Sequence, residues 1–157
     1  MYLKQKVNKK ASYKENEDGS IDIRLKAINK IESEKIMKNY TVISKEGLNV
    51  LPFLGKNDFK ILNQLLNYQH YDLESNTTSF NYEIFKNSVN MPDSRLYESI
   101  AYLLSLNLFK IIQRDRHQDS ITIMLNPFML QKMHKGLIQH QQAYDSLPTY
   151  KSLREVK

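Results

Sequence analysis

The feature that most constrains this chain lies in residues 81–126, where strong helix breakers stand between segments of clean periodicity. Tyr82, Ile84, Phe85 and Val89 recur at helical spacing behind Asn81, whose side chain can accept from the free N–H groups of a first turn. Asn90-Met91-Pro92 must then turn, because proline has no N–H to give a helix and clashes with the preceding turn. Leu96, Ile100, Leu103 and Leu104, spaced i, i+4, i+7, i+8, make residues 93–106 a second helix, with Asp93 or Ser94 as its cap. Asn107 tolerates the left-handed conformation that ends helices. Phe109 and Ile111, then Ile121, Ile123 and Leu125, alternate as strands over residues 108–113 and 120–125. The charged run 114–119 joins them. Helix, tight turn, helix and two strands around a charged loop is the order of a winged helix-turn-helix. The expectation is an α+β fold that binds double-stranded DNA.

The flanking chain is less regular. Residues 1–14 hold five lysines and no acid, a basic arm able to lie along phosphates. Ile21, Ile23 and Leu25 alternate with Asp22, Arg24 and Lys26, predicting a half-buried strand that pairs across a turn at Asp18-Gly19 with residues 10–15. Residues 27–37 fit helix only loosely, and residues 40–44 are strand-like. Residues 47–55 are too apolar for an exposed linker and are expected to pack on the core. Asn57-Asp58 marks a helix start, followed by a wide stripe of Phe59, Ile61, Leu62, Leu65 and Leu66. Residues 77–80 are placed to pair as an edge strand with the hairpin. Asn126-Pro127 reads as a cap with proline at the first helical position, opening a helix through Phe128, Leu130, Met133, Leu137 and Ile138 that ends near Ser146. The last residues look loose. The expected division is a basic arm and N-terminal β extension over 1–47, a winged-helix domain over 48–130, and a C-terminal helix and tail over 131–157.

A formal net charge of +6 favours polyanionic partners. There are no cysteines, so disulfides and thiolate metal sites are excluded and a reducing, cytoplasmic location is expected. No apolar run approaches the roughly 18 residues a membrane span needs, and no apolar stretch follows the N-terminal lysines as a signal peptide requires.

If the second helix enters a major groove, its N-terminal half and exposed face supply the contacts. Ser94, Arg95, Glu98, Ser99 and Tyr102 are the candidates, and Arg95 is the one cation there able to read guanine through a bidentate pair. Arg114, Arg116 and His117 on the hairpin could reach phosphates or the minor groove. Lys86 and Lys56 flank helix starts where phosphates could pass. Catalysis is not expected. A strand-nicking initiator would need a His-x-His metal site, and His70, His117, His134 and His140 are never separated by one residue. There is no glycine-rich phosphate loop and no serine nucleophile motif. No cofactor or metal is implied.

Three segments carry a resemblance to a known family. Ile121-Thr122-Ile123-Met124-Leu125-Asn126-Pro127 resembles the strand and Leu-Asn-Pro signature that closes the wing of the RepL-type replication proteins of plasmids of Gram-positive bacteria. Leu51-Pro52-Phe53-Leu54-Gly55-Lys56, followed by Phe59-Lys60-Ile61-Leu62, is similar to that family's approach to its first helix. Residues 103–112 resemble its hinge from recognition helix to wing. The likeness spans roughly residues 48–130. It implies a plasmid- or phage-borne replication initiator or copy-control protein, acting at origin DNA with host replication proteins. Pro92-Asp93-Ser94-Arg95 departs from the family's Ser/Thr-rich start of the recognition helix. Two other classes stay open. One is a MarR-like transcriptional repressor, a homodimer through the C-terminal helix. The other is a winged helix that binds only protein.

Overall fold

The computed structural model describes residues 11–15, 17–18, 21–25, 41–67, 71–72, 75–132 and 137–157. Residues 1–10 of the expected basic arm (1–14) and the ambiguous run over residues 27–37 lie outside them. The chain divides into two compact units, Met1–Ser33 and Glu34–Lys157. In the first, β1 (Ala11–Glu15) and β2 (Ile21–Leu25) pair antiparallel across a turn at Glu17 and Asp18, with Ala11 opposite Leu25 and Glu15 opposite Ile21.

The second unit is a mixed α+β structure. Its described elements run β3 (Val42–Ile43), α1 (Lys45–Val50), a 3-10 turn (Leu51–Phe53), α2 (Lys56–Leu66), β4 (Thr77–Asn81), α3 (Tyr82–Val89), α4 (Asp93–Ser105), β5 (Phe109–Asp115), β6 (Ser120–Leu125), β7 (Leu130–Gln131), α5 (Leu137–Ser146) and a 3-10 turn (Leu153–Glu155). The main sheet is antiparallel in the order β4-β6-β5. The short run 77–80 therefore pairs with the hairpin, as its β-branched composition predicts. Ile61, Leu62 and Leu65 of α2, Phe85 and Val89 of α3, and Leu96, Ile100, Leu103 and Leu104 of α4 pack with Phe109, Ile111, Ile121 and Ile123 of the sheet. All four apolar positions read from the spacing of α4 are buried.

Several expectations are corrected. Asn57-Asp58 does not cap α2. Gly55 occupies that position in an extended conformation, and Asp58, a turn later, accepts from the Gly55 N–H at 2.9 Å. Phe59 is 53% exposed, so the buried stripe of α2 is narrower than its apolar face. The segment before it forms α1 and a 3-10 turn, with Val50, Leu51 and Leu54 against the core but Leu48 and Phe53 largely exposed.

The largest correction concerns Asn126-Pro127. No helix starts there. Asn126 is buried; its Nδ2 donates to Asn107 O at 2.7 Å and its Oδ1 accepts from Phe128 N–H at 3.0 Å. After one turn the chain straightens into β7, where Leu130 pairs with Ile43 and Gln131 with Val42. A buried asparagine holds that path. Asn76 donates to the carbonyls of Leu125 and Leu130 and accepts from Lys132 N–H, at 3.0, 3.0 and 2.8 Å. The sheet and Asn76 together satisfy backbone groups that a continuous helix would have satisfied internally, so tertiary pairing overrides a strong local start signal. The helix that follows, α5, shows one buried residue, Tyr144. The tail is not loose either: Leu153 and Val156 are buried in the core, worth on the order of 1.5–3 kcal/mol each. Among the described residues no helix is long and apolar enough to cross a membrane.

Candidate nucleic-acid interface

The α3–turn–α4 corner is built from local signals. Asn81 leaves β4 and caps α3, its Oδ1 accepting from Ile84 N–H at 3.0 Å. Asn90 ends α3 at φ 52°, a left-handed conformation that asparagine tolerates. Met91 is buried and anchors the turn. Pro92 is the extended residue before α4, and no side chain caps this helix.

Asp93, expected as a cap, is instead the first helical residue. Its Oδ1 accepts from Tyr82 Oη at 2.8 Å and lies 3.1 Å from Lys86 Nζ. The carboxylate thus ties the start of α4 to the first turn of α3. The Tyr82 hydrogen bond and the neighbouring ammonium hold the Asp93 carboxyl below its ordinary range. The same pair raises Lys86, and burial with the Asp93 contact pushes the Tyr82 hydroxyl well up. A negative charge at this helix start is therefore largely compensated.

The hairpin is reshaped by a bulge. Ile111 faces Ile123 across the sheet, but Gln113 faces Thr122, so Ile112 is an extra residue in β5. Directly opposed residues of an antiparallel pair share a face. The bulge therefore reverses the alternation, and Arg114, opposite the buried Ile121, lies on the inner face. Its Nη2 donates to Tyr97 Oη at 3.2 Å, and its guanidinium stands 5.5 Å from the Tyr82 ring centroid. Strand β5 continues through Asp115, so the connecting loop is residues 116–119 rather than the full charged run 114–119. Asp115 Oδ1 accepts from the His117 and Gln118 N–H groups, and Asp119 takes φ 49°. The loop is pinned to α3 by Tyr82 N–H to Asp119 O at 2.7 Å and Asn81 Nδ2 to Gln118 O at 3.2 Å.

These contacts place the candidates. Ser94, Arg95 and Glu98 are exposed on α4, and Arg116 and His117 are exposed on the loop. Lys56 is exposed at the start of α2. Ser99 is buried on the packed side of α4, which removes it from any surface. Tyr102 is 37% exposed, and its hydroxyl is committed to Phe53 O at 2.9 Å. Arg114 is half-buried and Lys86 is paired. The structure joins Lys86, Arg114 and the loop to the α3–α4 corner, whereas Lys56 stands apart in sequence at the start of α2. Sequence reading missed Tyr82 and Tyr97 as supports of Arg114; only the bulge, which has no sequence signal here, brings them together. Among the described residues no group of three or more His, Asp or Glu side chains is placed to hold a metal. Comparison with protein families, with curated proteins and with solved structures finds no match for this chain.

Proposed function

We propose that the Glu34–Lys157 unit is a winged-helix domain that binds double-stranded DNA in a sequence-dependent manner, and that the protein is a replication initiator or copy-control protein of a plasmid or phage. The DNA reading rests on one observation. A helix-turn-helix, α3–α4, is followed by a hairpin in a β4-β6-β5 sheet whose loop is pinned back to that corner and carries Arg116 and His117. In this reading α4 enters the major groove, Arg95 pairs with a guanine, and the hairpin cations meet flanking phosphates. The assignment to replication rests on the resemblance of residues 121–127 to the RepL-type signature.

Selection of bound duplexes from a random pool, followed by titration at several salt concentrations, tests this. A recovered consensus whose affinity falls steeply with salt supports the reading, and direct repeats in it favour an origin. Absence of salt-sensitive binding to any duplex sinks it. One feature favours a second reading: Leu137 and Ile138 stand 41% and 71% exposed at the start of α5. A repressor that dimerises through this helix would cover them, and its consensus would be palindromic.

A further inference from the structure

Arg154 belongs to no element of the helix-turn-helix or the hairpin, yet it reaches the same ring as Arg114. The tail is held by Leu153 and Val156, both in the core, and by Lys151 N–H donating to Glu155 Oε2 at 2.8 Å. Arg154 stays exposed between these anchors. Its guanidinium carbon lies 4.9 Å from the Tyr97 ring centroid, and that of Arg114 lies 6.0 Å from the same centroid.

Two guanidinium groups therefore converge on one tyrosine of α4. Among the described residues neither forms an ion pair, and the acids beside them in sequence, Asp115 and Glu155, are otherwise engaged, as is Asp93 at the start of α4. Asp93 is held by Tyr82 and Lys86, Asp115 by loop N–H groups, and Glu155 by the Lys151 N–H. Tyr97 contacts both, its hydroxyl accepting from Arg114 and its ring lying near Arg154. An anion held by both would add a charge-assisted contact to each, since a guanidinium fork matches the oxygens of a phosphate. We propose that Arg154, carried by the C-terminal tail, forms with Arg114 and Tyr97 a phosphate clamp that grips the nucleic-acid backbone alongside α4. The inference rests on the DNA reading above and adds to it a residue and a segment outside the 48–130 region.

The test compares full-length parent, Arg154→Gln, Arg154→Lys and Lys45→Gln on the duplex selected for the parent, with thermal melting to verify folding. Arg154 is exposed, so its variants keep the core. Loss of one phosphate contact lowers the slope of log affinity against log salt by about 0.9, which corresponds to roughly fivefold weaker binding at about 0.15 M salt relative to a 1 M reference. Arg154→Gln should show that loss and Arg154→Lys should restore most of it. Lys45→Gln, with the same change in net charge on α1, should keep the parent slope. A parental slope in Arg154→Gln, or an equal loss in Lys45→Gln, overturns the clamp while the DNA reading stands. A parent with no salt-dependent duplex binding removes both.

Discussion

At the residue scale, Asp93 shows how an acid can occupy the start of a helix proposed to face phosphates. A bare carboxylate there would repel the backbone of DNA. Here its charge is shared with the Lys86 ammonium and the Tyr82 hydroxyl. The arrangement also has a pH signature. A carboxyl whose folded pKa is depressed adds stability above its unfolded value, 3.8, and loses it as pH falls through the lower folded value. Tyr82 and Lys86, both raised, add stability below their ordinary values of 10.0 and 10.5 and lose it as pH rises beyond them. Asp93→Asn should therefore melt below the parent at neutral pH. The gap should close as pH falls from above the ordinary carboxylate value through the lower folded one, where the parent carboxyl is itself protonated. Melting curves across that range check this; a gap of constant size would mean that the carboxylate charge contributes nothing. The sequence placed an acid and a proline at this corner but not their roles, because capping depends on which residue adopts the extended conformation. That residue proved to be Pro92.

At the element scale, periodicity located what is locally determined and missed what depends on pairing. The ends of α3 and α4 were legible because Pro92 cannot continue a helix and because Asn107 tolerates the left-handed conformation it adopts, at φ 59°; the left-handed Asn90, at φ 52°, was not foreseen. The reversal of alternation at Ile112 was not legible, since a bulge is a property of two strands, and it turns Arg114 inward. The path after Asn126 was hidden for a similar reason. It depends on Asn76, fifty residues earlier, which satisfies two carbonyls and one N–H around β7. Asn76→Ala leaves those groups buried without partners, at about 1–3 kcal/mol each, while the φ of 59° adds strain for alanine. The expected loss is about 3 kcal/mol or more, read from chemical denaturation at unchanged m-value. A loss below about 1 kcal/mol would show that water replaces the side chain readily. The tail makes the same point. Leu153 looked like part of a loose terminus, yet it is fully buried, and Leu153→Ala should cost about 2–5 kcal/mol. A near-neutral result would detach the tail from the core and Arg154 with it.

At the scale of the whole molecule, the proposed DNA binding would divide its residues into those that read bases and those that grip phosphates. Exposed α4 offers a single guanidinium, Arg95, beside Ser94 and Glu98. Of the other cations at the corner, Lys86 on α3 is paired with Asp93, and the rest lie on the loop, on β5 and in the tail. If this surface meets DNA, Arg95 carries base preference and Arg116 carries affinity without preference, because phosphates are alike at every sequence and base edges are not. Arg95→Ala should flatten discrimination at one guanine position by about 1–3 kcal/mol and leave preferences elsewhere intact. Arg116→Gln should weaken binding to all duplexes alike and lower the salt slope by about 0.9. Parallel titrations of the two variants on the selected site and on single-base variants of it separate these outcomes. A uniform loss from Arg95→Ala would move that residue to the gripping class. A position-dependent loss from Arg116→Gln would mean that the hairpin loop enters a groove and reads bases there.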